Sequence, residues 1–277
     1  ARINTPDWLW KSWCKTYGEE NTLKIAQQHL ESAPTDLTVA KTSPELASIL
    51  NAETLESGSL RCRDFGNPTE WWGYADGSWW VQDAAAALPI KLIGDVRGLN
   101  VIDLCAAPGG KTAQLAMGGA NVISLDSSNV RSETLKANMK RLGLKSDTII
   151  SDLRNWEPPI TADLVVLDAP RTATGTCRRH PEILRLRCSE DVHKMVKIQK
   201  NLLDAGAAMV PNGGTLLYIT CSLQPEEGPG QVTDFLYRWT NFARSPFKPV
   251  TWKGLEGVID TNGALRTLPF HWSSLGG

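Results

Sequence analysis

Between residues 100 and 221, short apolar runs alternate with amphipathic stretches, and this alternation constrains the fold more than any other feature of the chain. "NVIDLC", "NVISLD", "SDTIIS", "DLVVLDA" and "GTLLYITC" have strand length and are rich in Val, Ile and Leu. Helical patterns lie among them: one before "NVIDLC" from about Gln82, one from Gly110, one over "SNVRSETLKANMKRLG", one over residues 189–209, and one that the spacing starts near Pro225. Near-continuous apolar strands interleaved with amphipathic helices specify an α/β fold with a mostly parallel sheet, covered by helices on both faces. Ligands of such sheets bind beyond the carboxyl ends of the strands. The residues that terminate these runs are therefore the candidate functional ones.

The segment before this pattern has a different rhythm. Thr5-Pro6-Asp7 reads as a helix cap with proline at the first helical position, ahead of Trp8, Leu9 and Trp10 on a short helix, and a second helix is expected over residues 19–30. "DLTVA", "TSPELASILNAE" with Ser43 as cap, and "SLRCRD" read as strand, helix, strand. The turn-rich, tryptophan-rich stretch "GNPTEWWGYADGSWWVQD" reads as a link, its tryptophans packing between domains. The expected organisation is a small α+β subdomain over residues 1–75 followed by an α/β domain over residues 76–277.

Composition excludes several classes. A formal charge of −1 over 277 residues carries no global nucleic-acid signature, so any such partner needs a local basic face. No apolar run approaches the roughly 20 residues of a membrane helix, and the first thirty residues lack a signal-peptide layout. The expectation is a soluble protein without a membrane partner, cytoplasmic, with the mitochondrial matrix as the alternative. Six cysteines stand singly, with no Cys-x-x-Cys pair and no histidine at ligand spacing, which argues against a metal site and a disulfide framework.

"VIDLCAAPGGKTAQLA" is a strand, a tight turn and a helix start, in which Gly109 and Gly110 let the backbone approach a ligand. A turn that serves packing alone is one reading. A phosphate-binding loop is another, because "GKT" at Gly110–Thr112 and the "LVVLD" strand match parts of a nucleotide triphosphatase, although Cys105 stands where that loop needs glycine. An S-adenosylmethionine loop is the third. It accounts for more, since Asp126, Asp152 and Asp168 close the next three strands and the first of them is placed for ribose hydroxyls.

Cys221 ends the strand "LLYITC". A cysteine at an arbitrary strand position is usually a small core residue. This one ends on the same sheet edge as Gly109, Asp126 and Asp168, which favours a nucleophile.

"DLCAAPGGKT", "LDAPRTATGTCRRHPEI" and "TLLYITCSLQPEE", in this order and spacing, resemble the RNA cytosine-C5 methyltransferases, most closely the bacterial Fmu or RsmB-like enzymes of ribosomal RNA. The resemblance extends from "TPDWLWKSW" to "LRTLPFHW". It implies a Rossmann-like methyltransferase domain preceded by an RNA-binding subdomain, with S-adenosyl-L-methionine as cofactor. It further implies that Cys105, Ala106, Ala107, Pro108, Gly109, Gly110 and Lys111, with Asp126, Asp152 and Asp168, hold that cofactor. Cys221 would be the thiolate that adds to cytosine C6, and Asp168 would contact the N3 and N4 edge. The implied partner is RNA, ribosomal ahead of transfer RNA, and ribosome-assembly proteins are candidate partners.

Residues 171–200 carry eight cations and three acids, a local surplus suited to RNA phosphates, with Arg171, Arg178 and Arg179 nearest the proposed site. One position departs from the family. Its members carry a second cysteine after the Asp-Ala-Pro turn, which helps remove the C5 proton and release the thiol, and this chain has Arg171 there. A guanidinium stays protonated and is no ordinary base. The alternative function is a catalytically impaired, RNA-binding ribosome-assembly factor on the same fold.

Overall fold

The computed structural model describes residues 1–40, 44–63 and 66–272. Ser43, read as a helix cap, lies outside the described residues, as do residues 273–277. The chain divides into two compact units, one of residues 34–169 and 202–219 and the other of residues 1–33, 170–201 and 220–277.

In the second of these, α1 (Asp7–Gln28) contains both helices expected near the N-terminus, broken at Gly18, whose φ of 80° and ψ of 162° leave the helical region. Pro6, not Thr5, takes the cap position, and the Thr5 hydroxyl donates instead to the Ala1 carbonyl. Leu9, Trp13 and Ile25 of α1 bury against Leu223, flanked by Tyr17, Leu184 and Phe270. The residues four apart, Leu9 and Trp13, share one helix face, which is why this short helical piece has an inner side.

The other unit opens with an antiparallel sheet. It is built from β1 (Thr35–Val39), β2 (Ala52–Thr54), β3 (Leu60–Cys62) and β4 (Trp79–Val81), in the order β2-β3-β1-β4, with α2 (Pro44–Ile49) between β1 and β2. The tryptophan-rich stretch read as a link supplies β4. The period of two explains its residues: Trp79 joins the core of Leu37, Leu46 and Leu60, while Trp80 points the other way, onto Ala106, Ala107 and Leu135. Arg61 pairs bidentately with Asp36 at 2.8 and 3.0 Å, both side chains buried. Asp36 also accepts the Ala84 amide at 2.9 Å, which ties β1 to the start of α3 (Ala84–Leu92).

Five parallel strands follow: β5 (Asn100–Leu104), β6 (Asn121–Asp126), β7 (Asp147–Ile150), β8 (Leu164–Asp168) and β9 (Thr215–Ile219), in the order β7-β6-β5-β8-β9. The chain runs outward from β5 to β7, then returns to lay β8 against the other side of β5. That reversal between β5 and β8 makes the crevice in which open α/β sheets place ligands. α4 (Gly110–Met117) follows β5, and α5 (Asn129–Leu142) follows β6, capped by Ser128 and ended by left-handed Gly143. The strand cores Val101, Ile102, Leu104, Val165, Val166 and Leu167 are fully buried, as their near-continuous apolar sequences require.

α6 (Ile183–Leu186), α7 (Ser189–Ala208) and α8 (Pro229–Arg238) complete the helices. α8 starts four residues later than the sequence suggests, because residues 224–228 form turns that bury Glu227 completely. No helix among the described residues is long and apolar enough to cross a membrane.

Candidate active site

The glycine loop leaves β5 through Cys105, a non-glycine residue at φ 56°, and enters α4 through Gly109 at φ 101°. Glycine is required at the latter position twice over. The left-handed backbone disfavours a side chain, and an added Cβ would stand 2.9 Å from Leu135 Cγ. Ala106 and Ala107 are buried, Pro108 is exposed, and the Pro108 carbonyl accepts Asn138 Nδ2 at 3.1 Å. The Gly109–Gly110 turn presents the amino end of α4, a setting for a ligand that accepts backbone N–H groups.

Acids stand at or just beyond the carboxyl ends of the neighbouring strands. Asp126 is buried at the end of β6, where it accepts Ala107 N at 3.2 Å, Ser128 N at 2.9 Å and Arg131 Nη2 at 2.9 Å. More than half of the Arg131 side chain is exposed, so it can yield this carboxylate to a diol at little cost. Asp168, at the end of β8, pairs with Lys111 Nζ at 2.8 Å. Asp152 lies two residues past the end of β7 rather than in it, caps a turn over Leu153–Asn155 and pairs with Arg154. Hydrogen bonds from Arg154 hold its carboxyl down at about 2. Burial pushes the Cys105 thiol up to about 12, with Asp126, Asp168 and Asp103 adding to the effect, so it is an inert thiol.

Asp103 was not singled out from the sequence, yet it is fully buried, and its carboxyl is pushed up to about 7 by that burial, against the lowering effects of Thr112 and Lys111. Thr112 Oγ1 donates to its Oδ2 at 2.6 Å, while its Oδ1 has no hydrogen-bond partner. The only signal in the sequence was a charge inside the apolar run "VIDLC". This pairing also bears on the phosphate-loop reading. Thr112, which would have to hold magnesium there, is fully buried with its hydroxyl committed to Asp103. A loop that needs glycine at close approach, with buried acceptors around it, fits the S-adenosylmethionine reading better.

The other unit carries Cys221, half-buried, in the segment after β9; the strand ends at Ile219, two residues before it. The Cys221 carbonyl accepts Gly175 N at 3.0 Å. Thr172, Thr174, Ser222 and Glu227, none of them distinguished by sequence pattern, form a buried hydrogen-bonded cluster beside it. Of the cations assigned to RNA, Arg178 donates to the Glu31 and Ser32 carbonyls, at 3.4 and 2.8 Å, closing the end of the segment after α1. Arg171 and Arg179 are half-buried. Burial pushes the Cys177 thiol up to about 12, and it donates to the Thr174 carbonyl at 3.2 Å, so it is a core residue without nucleophilic character.

A profile of the family described as 16S rRNA methyltransferase RsmB/F matches residues 94–273. Ribosomal RNA small subunit methyltransferase B of Salmonella arizonae is 39% identical over 178 residues, covering 62% of this chain and 42% of that protein. The protein of the same name from Vibrio vulnificus is 41% identical over 171 residues, covering 60% and 40%. The chain thus spans well under half the length of these relatives. Among solved structures, PH0851 superposes with a TM-score of 0.83 at 26% identity, covering 96% of this chain and 62% of that one. NSun6 from Pyrococcus horikoshii, solved with SFG, superposes with a TM-score of 0.75 at 19% identity, covering 87% and 91%, a likeness of fold.

Proposed function

Because the chain belongs to the 16S rRNA methyltransferase RsmB/F family, we propose that it methylates C5 of a cytosine in RNA, ribosomal ahead of transfer RNA, with S-adenosyl-L-methionine as methyl donor. The observation that carries this reading is Cys221, a thiol two residues beyond β9 whose own carbonyl is held by Gly175. Cytosine C5 is too weak a nucleophile to be alkylated directly. A thiolate that adds to C6 makes C5 enamine-like, which is covalent catalysis. The target base has to be unpaired or flipped out for the thiol to reach C6.

The glycine loop from Cys105 to Lys111 is the proposed seat of the methionine portion, with Asp126 accepting from the ribose hydroxyls and Asp152 completing the cofactor site. When bound, the cofactor supplies an electrophilic sulfonium methyl for the activated C5. Asp168 is the proposed contact for the N3 and N4 edge of cytosine, held ready by Lys111. Arg171 and Arg179 are proposed to meet RNA phosphates, and Arg178 to brace the segment they stand on.

Arg171 favours a second reading: a factor that binds RNA and forms the adduct but releases it poorly, since a guanidinium does not accept the C5 proton. One assay tests both readings. Radiolabelled cofactor is incubated with unmodified small-subunit ribosomal RNA, and free methylated RNA is resolved from protein-bound RNA. Free methylated RNA over many turnovers, abolished in Cys221→Ala, is the expected result and excludes the second reading. A persistent adduct that disappears in Cys221→Ala establishes the second reading. Undiminished methylation by Cys221→Ala removes the assigned nucleophile.

A further inference from the structure

We infer that Glu227 is a positioning residue for Cys221: its buried carboxylate pins the loop that carries the thiol to the loop that carries Arg171. The inference rests on the reading of Cys221 as nucleophile, but it concerns residues outside the assigned catalytic and cofactor sets.

Glu227 is completely buried. Its Oε2 accepts Thr172 N at 2.9 Å and Gln199 Nε2 at 2.8 Å, and its Oε1 accepts Ser222 Oγ at 2.6 Å and the Thr172 hydroxyl. Taking a carboxylate out of water is costly, and only a full set of donors offsets that cost. Apolar side chains would have joined two loops more cheaply. What the carboxylate adds is direction, because each of its donors is held at a fixed angle.

Those donors are neighbours of the chemistry. Thr172 follows Arg171, and Ser222 follows Cys221. Around Cys221 the backbone is fixed residue by residue. Its carbonyl accepts Gly175 N at 3.0 Å, Leu223 N donates to Thr174 Oγ1 at 3.0 Å, and Gln224 N donates to Ser222 Oγ at 3.1 Å. Gly175 leaves no slack, since a Cβ there would stand 2.7 Å from the Cys221 carbonyl oxygen. Gln199 extends the network into α7 and α8: its Nε2 also donates to the Pro170 carbonyl at 2.9 Å, and its Oε1 accepts Gln231 Nε2 at 3.2 Å. Glu227 is therefore the junction through which two long helices hold the two loops.

Glu227→Gln keeps the shape and removes one acceptor: its amide NH₂ either meets the Thr172 N–H and the Gln199 NH₂ at the Oε2 position or forces the Ser222 and Thr172 hydroxyls to turn from donors to acceptors at the Oε1 position. The protein, its Glu227→Gln variant and a Glu227→Ala variant are compared in three measurements. These are RNA methylation kinetics, binding of S-adenosyl-L-homocysteine, and iodoacetamide alkylation of Cys221 against pH by peptide mass spectrometry, with exposed Cys188 as internal reference. Misplacing a reacting group by about an ångström costs on the order of 100-fold. The expected result for Glu227→Gln is a fall in kcat of roughly 10–100-fold, KM for RNA and S-adenosyl-L-homocysteine affinity within about twofold, and a changed Cys221 alkylation profile beside an unchanged one for Cys188. Glu227→Ala loses at least as much.

Unchanged kcat and unchanged Cys221 alkylation overturn the inference. A loss of S-adenosyl-L-homocysteine affinity that parallels the loss of kcat also overturns it, because it marks a general structural role. If either variant fails to fold, Ser222→Ala and Thr172→Val decide: each removes one hydroxyl donor, and an unaltered Cys221 profile in both overturns the inference. If the unaltered protein methylates no RNA, the methyltransferase reading fails, while the alkylation comparison still decides the role of Glu227.

Discussion

Lys111 Nζ donates to Asp168 Oδ2 across 2.8 Å, joining the first turn of α4 to the last residue of β8. The lysine is nearly buried and the aspartate one-fifth exposed, so the pair lies between the surface and the interior. Breaking a surface pair costs up to about 1 kcal/mol, and breaking a buried one about 3–5 kcal/mol. Lys111→Met and Asp168→Asn are each expected to cost roughly 2 kcal/mol in urea unfolding, and the double variant less than the sum. Additive losses would show that the two side chains do not stabilise one another.

Gly109→Ala tests the loop. The left-handed φ of 101° and the 2.9 Å approach to Leu135 Cγ act together, so the substitution is expected to destabilise by at least about 1 kcal/mol. S-adenosyl-L-homocysteine affinity should fall further than stability does. Calorimetric titration beside a thermal melt separates the two, and an unaltered affinity would remove the loop from the cofactor site.

Much of this architecture was legible in the sequence because its signals are local. Five apolar runs gave five strands, and Asp126 and Asp168 stand at the carboxyl ends of theirs, since strand ends are read from strand length alone. β4 was hidden because Gly73, Gly77 and the surrounding polar residues look like turn punctuation, and a three-residue strand is too short to show alternation. Glu227 was hidden for a different reason. "PEE" offers two adjacent glutamates, of which Glu226 is exposed and Glu227 wholly buried. Donors on Ser222, Gln199 and Thr172, 5, 28 and 55 residues away, distinguish them. Asp103 likewise depends on Thr112, a partner that becomes visible once α4 has folded back on β5.

The Asp36–Arg61 pair is buried on both sides and bidentate. Asp36→Ala strands the guanidinium and removes the acceptor for Ala84 N, so it is expected to cost about 3–5 kcal/mol, close to the stability of a whole domain. Replacing both residues, as Asp36→Leu with Arg61→Met, should recover a good part of that loss. Denaturant midpoints of the single and double variants check this, and a double variant no better than Asp36→Ala would assign the loss to the Ala84 contact.

His29 gives the protein an acid-sensitive point. It is nine-tenths buried, packs edge-on to Trp13 with ring centroids 5.7 Å apart, and neither ring nitrogen has a hydrogen-bond partner. Burial, aided by the Arg178 charge, lowers it from 6.5 to about 4. The folded state thus binds the proton less tightly than the unfolded chain does. The stability linked to His29 is complete above pH 6.5 and is lost as pH falls through 4, amounting to roughly 3 kcal/mol at the acid end. Carboxylates titrate over part of the same range, so the contrast with a variant isolates the histidine. His29→Phe keeps the ring packing and has no proton to bind. Its unfolding free energy should fall less steeply between pH 6.5 and 4 than that of the unaltered protein, and parallel curves would show that His29 does not carry the acid response.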